Sequence, residues 1–162
     1  MSDLTIETGK DDPRIRISER ELDCDVEQIL ISMSVDWEKE NSCHGYRRNG
    51  PEDFEGIRVF LAEVDHDTIG YLFGHLCRQG KATSVIPEGA SVFEVDEIFV
   101  RPEWRSKGIG GRLFRFAERT VLPDAEYIML STATKNWRAI LHFYIDELGM
   151  DFWSATLFRK LK

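Results

Sequence analysis

The chain has 162 residues, of which 42% are hydrophobic and 31% charged, so we expect one globular domain over residues 1–162 and exclude a disordered chain. The formal net charge of −8 argues against a general nucleic-acid binder, whose surface would carry a basic footprint. A polar N-terminus, scattered cysteines and the lack of a bilayer-length apolar run together predict a cytoplasmic protein that has reduced thiols and does not bind membranes.

The first part of the chain predicts one strand, one helix and a long loop. Alternating residues in Arg14–Ile17 predict a short strand, and apolar residues at helical spacing predict a helix from Val26 to Met33. Glu38–Glu55 is rich in charged residues, glycine and asparagine, so it is expected to be a loop with room for one helical turn.

The next segment predicts a β-hairpin. Ile57–Val64 and Thr68–Arg78 have strand composition and are separated by a tight turn. Gly70 and Gly74 in the second strand mark weak points or places of close approach. A second loop, Gln79–Ala90, follows the hairpin.

The last part of the chain alternates strands and helices, which predicts at least one parallel pair of strands. The predicted strands are Ser91–Val100, Glu126–Thr132 and the closing segment 151–162, and the predicted helices are Gly111–Val121 and Trp137–Leu148. Gly149 stands where a helix C-cap belongs.

Glycines and cations crowd the passage from strand to helix at Arg105–Gly111. Glycine is a poor helix former, so its abundance there needs a reason. The unpaired amides at a helix N-terminus bind anions, and glycines let those amides curve around a phosphate. A tight turn without a ligand is the alternative that the glycines leave open. Neither the P-loop pattern nor the dinucleotide fingerprint fits the segment.

A third pattern fits it. Arg105–Gly110 reads R-S-K-G-I-G and resembles the R/Q-x-x-G-x-G/A pyrophosphate loop of the GNAT acetyltransferase superfamily, which binds acetyl-CoA. The preceding V-x-P-x-x-R, and Asn136 followed by F-Y and L-G-M, are similar to the family in the same order over Ser91–Met150. The resemblance implies the GNAT fold of mixed α/β class, in which helices flank a central, mostly antiparallel sheet and two parallel strands splay apart.

The resemblance also implies how acetyl-CoA binds. Strand main chain would pair with the pantetheine arm, amides of the glycine turn would hold the pyrophosphate, and an asparagine would reach the cofactor from the next helix. These residues are Ile98, Phe99 and Val100 for the arm, Arg105, Ser106, Lys107, Gly108, Ile109, Gly110 and Gly111 for the pyrophosphate, and Asn136. No metal is expected.

Acetyl transfer to an amine needs a base, a water relay or desolvation to supply the neutral amine. The strand offers Glu94, Asp96 and Glu97, and alternation places the first two on one face and Glu97 on the other. Resemblance to branches of the family favours Asp96 with Glu94, acting through water, whereas a β-bulge would bring in Glu97. These acids could also bind a cationic acceptor, or be solvated or salt-bridged strand residues.

For the acid that protonates the leaving thiolate, the resemblance implies Tyr144. Tyr144 also lies on an apolar stripe, so a core tyrosine is the alternative. Its spacings from Asn136 and to Gly149 are each one residue longer than the commonest family pattern, which keeps His142 as a second candidate.

We therefore expect an acetyl-CoA-dependent N-acetyltransferase that acetylates a primary amine, of a small cationic molecule, by direct attack without a covalent enzyme intermediate. The alternatives are a protein N-terminal or lysine acetyltransferase and a non-catalytic CoA-binding regulatory domain. Loops Glu38–Glu55 and Gln79–Ala90 would select the acceptor. Residues from Met150 to Lys162 have room for one long strand or a very short pair, so a partner chain in a homodimer could cover the sheet edge.

Overall fold

The computed structural model describes residues 12–162 as a five-stranded sheet with helices on both faces. The strands are β1 Arg16–Arg20, β2 Ile57–Val64, β3 Asp67–Arg78, β4 Ser91–Val100 and β5 Tyr127–Met129. The helices are α1 Cys24–Glu40, α2 Ile109–Val121 and α3 Trp137–Leu141, which continues as a π-helix over His142–Glu147. Two 3₁₀ turns lie at Pro51–Phe54 and Pro102–Trp104. Within residues 12–162, no helix is long and apolar enough to cross a membrane.

The strands lie side by side in chain order. Neighbours from β1 to β4 are antiparallel, and β4 with β5 is the parallel pair that the resemblance implies. This pairing covers only Val92–Glu94 against Tyr127–Met129, whereas β4 continues to Val100. The last six residues of β4 therefore have no β5 partner, so the parallel strands part as predicted, and the strand expected at Glu126–Thr132 shortens to three residues.

Each face of the sheet carries its own apolar core. Residues of α2 pack on one face against Phe60, Leu72 and Phe93, all fully buried. The buried side chains of α1 pack on the opposite face against a set that includes Tyr71 and Phe99. Burial of each large side chain contributes about 1.5–3 kcal/mol, so the two clusters fix both helices against the sheet.

Capping residues set the helix ends. Asp23 accepts a hydrogen bond from the amide of Val26 at 2.8 Å and caps the start of α1. Asn41 ends this helix in the left-handed region, with φ 51°. Gly149 has φ 70° where the π-helix ends, as its position in the sequence predicts. The loop expected at Glu38–Glu55 holds the last residues of α1 and the one predicted helical turn.

The prediction of a strand over residues 151–162 is wrong. These residues form no regular secondary structure. Trp153 donates a side-chain hydrogen bond to Ser84 at 3.0 Å, and the ring of Phe158 meets His44 edge-on. An alternating pattern makes a strand only where a neighbouring backbone supplies hydrogen bonds, and β5 offers an edge of only three residues.

Candidate active site

A β-bulge in β4 shapes the candidate site. Phe73 of β3 pairs with Glu97, whereas the next residue, Gly74, pairs with Val95, so Asp96 is an extra residue without a partner on β3. A Cβ atom at Gly74 would overlap the carbonyl oxygen of Glu94, so the close approach of the two backbones requires glycine there. This confirms the expectation that Gly74 marks a close approach.

The bulge changes which side chains share a face. Glu94 pairs with His75 and Glu97 with Phe73, and cross-strand partners lie on the same face of a sheet. Because Phe73 and His75 are two residues apart, both acids lie on the face that carries α1. The prediction that Glu94 and Glu97 lie on opposite faces is therefore wrong. The reason is the β-bulge, which the sequence analysis named as the case that would bring in Glu97.

Glu97 stands in a hydrogen-bond network on this face. Its Oε2 atom accepts bonds from the Tyr71 hydroxyl at 2.7 Å, from Asn49 Nδ2 at 2.9 Å and, at the longer distance of 3.5 Å, from the Tyr46 hydroxyl. Burial raises the pKa of Glu97 above its ordinary value, and these hydrogen bonds act in the opposite direction. All three donors meet the same oxygen, so across residues 12–162 Oε1 has no hydrogen-bond donor.

Asp96 and Glu94 flank a histidine. His75 Nδ1 lies 2.8 Å from Asp96 Oδ2, and Nε2 lies 3.9 Å from Glu94 Oε2. All three side chains are about one-third exposed. Asp96 is therefore tied to His75, whereas Glu97 is tied to the tyrosines and Asn49.

A cleft of about 310 Å³ opens beside Asp96 and Glu97. Asp53 and Glu55, from the end of the loop predicted to select the acceptor, line it together with His75. Arg47 forms a salt bridge with Asp53 at 2.8 Å. Four carboxyl groups line this small cleft and Arg47 offsets the charge of one of them, so the cleft is acidic.

Tyr144 lies on the other face of the sheet. It is 9% exposed and packs against Phe114 and Phe143, with ring centroids 6.2 and 5.0 Å away. Burial, with a smaller contribution from Cys43, raises the pKa of Tyr144 to about 12. Its hydroxyl has no hydrogen-bond partner within the described part of the chain, and it is not among the fully enclosed atoms. A packed ring with an unpaired hydroxyl suits an acid that meets a ligand atom.

The π-helix explains the longer spacing around Tyr144. The amide of Leu148 donates to the carbonyl of Phe143 at 3.1 Å, five residues back, which is the π pattern. A π turn holds more residues than an α turn, so the helix takes up extra length where the sequence spacing is longer. His142 faces away from the core, with Nδ1 2.7 Å from Asp146 Oδ2 on the surface.

The glycine turn forms the start of α2, two residues earlier than predicted. Ser106 and Gly108 have φ 58° and 77°, and Gly108 precedes the helix without a side-chain cap. The amides of Ile109, Gly110 and Gly111 therefore have no acceptor within the helix. A Cβ at Gly110 would lie 3.4 Å from the Phe143 ring, an ordinary contact, so packing alone does not require glycine at this position.

The two cations of the turn differ in their surroundings. Arg105 bonds Val100 O at 2.8 Å and Glu40 Oε1 at 2.7 Å, so its guanidinium fixes the strand exit. The Lys107 ammonium lies 4.8 Å from the Trp104 ring centroid, and together with Ser106 and Gly108 these residues line a cleft of about 530 Å³. Lys107 is therefore the better placed of the two to face an anion.

The remaining predicted cofactor residues lie at the end of β4 and at the start of α3. Ile98, Phe99 and Val100 belong to the part of β4 beyond its pairing with β5. Asn136 precedes α3, is exposed and does not cap the helix with its side chain. The sequence did not single out Tyr46, Asn49, Tyr71 or His75. The only signal for them was the possible bulge, since each contacts an acid that the bulge displaces.

Comparison with known proteins identifies the family. A family model described as an acetyltransferase (GNAT) domain matches residues 55–146. The match covers more than half of the chain, so the chain belongs to the GNAT acetyltransferase family and is an acyltransferase. No protein of curated function matches the sequence.

Solved structures share the fold. An aminoglycoside acetyltransferase from an uncultured soil metagenomic sample, in complex with trehalose, superposes with a TM-score of 0.66 at 13% identity, over 93% of this chain and 99% of that one. The aminoglycoside N-acetyltransferase AAC(6')-Iy in complex with CoA superposes with a TM-score of 0.59 at 16% sequence identity. The superposition covers 90% of this chain and 98% of that one. A ribosomal-protein-alanine N-acetyltransferase from Brucella melitensis biovar Abortus 2308 superposes with a TM-score of 0.61 at 14% sequence identity. The superposition covers 89% of this chain and 99% of that one.

Proposed function

We propose that this protein is an acetyl-CoA-dependent N-acetyltransferase whose acceptor is the primary amine of a small cationic molecule. The observation that carries the proposal is the acidic cleft, in which Asp53, Glu55, Asp96 and Glu97 converge. Carboxylates attract an ammonium group and hold it where its proton can be removed. Two structural neighbours support the acceptor class, since one is in complex with sisomicin and another contains a bisubstrate analogue of CoA and acetylneamine.

The pyrophosphate of acetyl-CoA would bind at the start of α2. The unpaired amides from Ile109 to Gly111 supply hydrogen-bond donors, the helix N-terminus supplies partial positive charge, and Lys107 supplies a full charge. The free edge of Ile98–Val100 would pair with the pantetheine arm, and Asn136 would contact the cofactor from α3. Arg105 contributes indirectly, because it holds the exit of β4 in place.

We assign Glu97, assisted by Asp96, as the base that removes the proton from the acceptor amine. An alkylammonium ion of pKa about 10.4 is almost entirely protonated at neutral pH and must lose a proton before it can attack. The Oε1 atom of Glu97 is unpaired, and burial moves the pKa of this carboxyl toward neutrality, which suits a base. Glu94 is not among the residues that line the cleft, so it has at most a supporting part through His75.

We assign Tyr144 as the acid that protonates the leaving thiolate. The neutral amine attacks the thioester carbonyl directly, the nitrogen gives up a proton to water in the cleft, and the carbon–sulfur bond breaks. The Tyr144 hydroxyl donates its proton to the departing sulfur and takes up another from solvent. Tyr144 and Glu97 lie on opposite faces of the sheet, so the thioester would have to lie between the parallel strands, beyond the end of their pairing, to meet both. No residue forms a covalent bond to the acetyl group in this scheme.

The test is thiol release from acetyl-CoA with a panel of acceptors. We expect the highest kcat/KM for amino sugars and polyamines, and no turnover with polyols that lack an amine. Preference for peptides with a free α-amine or lysine would instead indicate a protein acetyltransferase. CoA binding without turnover on any acceptor would indicate a regulatory domain. Glu97→Gln serves as the matched inactive variant.

Two further expectations belong to this proposal. The three unpaired cysteines are consistent with a reducing, cytoplasmic environment. A homodimer would cover exposed apolar side chains of segment 151–162, of which Leu157, Phe158 and Leu161 are each more than 80% exposed. Light scattering on the purified chain tests the dimer, and a monomer at all concentrations would exclude it.

A further inference from the structure

Three side chains on β3 and β4 form a cluster beside the acidic cleft. His75, Cys77 and Glu94 each place one atom that can ligate a metal within 4.8 Å of the other two. His75 and Cys77 are two residues apart on β3, so they share a face, and Glu94 is the cross-strand partner of His75. The register of the two strands therefore brings a nitrogen, a sulfur and a carboxylate oxygen together.

The histidine of this cluster is oriented by a carboxylate. An ionised carboxylate only accepts hydrogen bonds, so we assign the proton of the 2.8 Å contact between Asp96 and His75 to Nδ1. In the neutral imidazole this leaves the lone pair on Nε2, the nitrogen that lies 3.9 Å from Glu94. A carboxylate on one ring nitrogen and a metal on the other is the usual arrangement of metal-binding histidines.

We infer that His75 Nε2, Cys77 Sγ and a Glu94 oxygen form a binding site for a thiophilic divalent cation, represented by Zn²⁺. Thiolate and imidazole select Zn²⁺ over Mg²⁺ and Ca²⁺, which prefer oxygen ligands. Ligand atoms around tetrahedral Zn²⁺ lie about 3.5 Å apart, given bonds of about 2.0–2.3 Å. Metal binding would require the cluster to contract by about 1 Å from its present 4.8 Å, through rotation of these partly exposed side chains. A water molecule completes the fourth position.

Binding exchanges a proton for the metal. The sulfur–hydrogen bond of Cys77 breaks, its proton passes to solvent, and the sulfur–metal bond forms without any change in oxidation state. The bound cation would lie next to His75 and Asp96, which line the acidic cleft. Weaker binding of a cationic acceptor in the metal-bound protein would follow, and this consequence rests on the proposed function, whereas the cation site does not.

The experiment is a titration of the full chain with Co²⁺, followed by absorption spectroscopy. We expect one Co²⁺ per chain, a thiolate-to-cobalt charge-transfer band in the near ultraviolet, and displacement by Zn²⁺. Cys77→Ser should remove the band, and Cys24→Ser, the matched change at an exposed cysteine, should keep it. Asp96→Asn should weaken Co²⁺ binding by roughly 10–100-fold.

The absence of a charge-transfer band in the wild type, or its persistence in Cys77→Ser, would overturn the inference. Circular dichroism establishes first that each variant is folded. Should Cys77→Ser not fold, His75→Gln and Glu94→Gln provide the test, since each should lower Co²⁺ affinity at least tenfold, and unchanged affinity in both would reject the site. Thiol release from acetyl-CoA is measured separately without added metal, so the two proposals fail independently.

Discussion

The hydroxyl of Tyr71 donates a 2.7 Å hydrogen bond to Oε2 of Glu97 across neighbouring strands. The tyrosine is fully buried, and burial, followed by the nearby Glu97 carboxylate, raises its pKa well above the ordinary value. It therefore stays protonated, and so remains a donor, above the pH at which an ordinary tyrosine ionises. This donor and Asn49 Nδ2 bind the same oxygen, so they hold the Glu97 carboxylate in one orientation and leave its other oxygen without a donor in the described part of the chain.

The first prediction concerns the base. Glu97→Gln keeps the shape of the side chain and an oxygen that Tyr71 can donate to, but it cannot take a proton. We expect kcat for the best amine to fall by roughly 10²–10⁴-fold, the usual contribution of a general base. Steady-state thiol release measures the loss, and Glu94→Gln is the control on the same strand. Equal losses in both variants would reject a special role for Glu97.

The second prediction concerns stability and pH. The pKa of Glu97 is higher in the folded chain than its ordinary value of about 4.3, so over that interval the folded state holds more protons than the unfolded state. The free energy of unfolding should therefore decrease as pH rises through the interval. Glu97→Gln should remove this decrease, so the free energy of unfolding of the variant minus that of the wild type should increase as the pH rises above the ordinary pKa of a glutamate. Urea unfolding at several pH values measures it, and a constant difference would contradict the prediction.

The third prediction concerns the bulge. Gly74→Ala places a Cβ atom against the backbone of β4, so the strands must separate or the bulge must rearrange. We expect a loss of about 1–3 kcal/mol in the free energy of unfolding, as for overpacking elsewhere, together with reduced turnover because Asp96 and Glu97 shift. Gly80→Ala is the control, since a Cβ there meets open space. Wild-type stability and turnover in Gly74→Ala would show that the bulge tolerates a side chain.

Much of the fold could be predicted because its signals are local. The bounds of β2 and β4 agree with the sequence prediction residue for residue, since alternation, turn residues and Pro102 mark both ends. The bulge could not be predicted firmly, because an extra residue leaves no trace in the strand that contains it. The residue that indicates the bulge is Gly74 on the neighbouring strand, and it can be interpreted only once the pairing register of the two strands is known.

The candidate site could be predicted in part for the same reason. The glycine turn and the strand acids are contiguous in sequence, whereas Asn49, Tyr71 and Glu97 are brought together over sequence separations of up to 48 residues. The prediction of a strand over residues 151–162 failed because a strand forms only where a partner backbone is available. The sequence of the segment itself does not show whether such a partner is present. The longer spacing around Tyr144 was a real signal, and the π-helix is its structural cause.

The fourth prediction concerns the cofactor. Replacement of Gly108 and Gly110 by valine places side chains over the amides that start α2 and strains residue 108, whose φ is 77°. Acetyl-CoA should raise the Tm of the wild type, because it binds only the folded state, and should leave the Tm of the double variant unchanged. Gly80→Val is the control at an open site. Normal acetyl-CoA binding by the folded double variant would show that the turn does not hold the pyrophosphate.

The last prediction concerns the acid. Tyr144→Phe removes only the hydroxyl, so the ring contacts with Phe114 and Phe143 persist and the Tm should change little. If this hydroxyl protonates the departing thiolate, kcat should fall by roughly 10²–10⁴-fold with little change in acetyl-CoA affinity. The loss should shrink for acyl donors whose thiols are more acidic, since their thiolates leave without a proton. A pKa of about 12 keeps the hydroxyl protonated through pH 10, so Tyr144 should add no basic limb to the pH profile below that value. Stability and turnover both close to wild type would make Tyr144 a core residue and assign thiolate protonation to water.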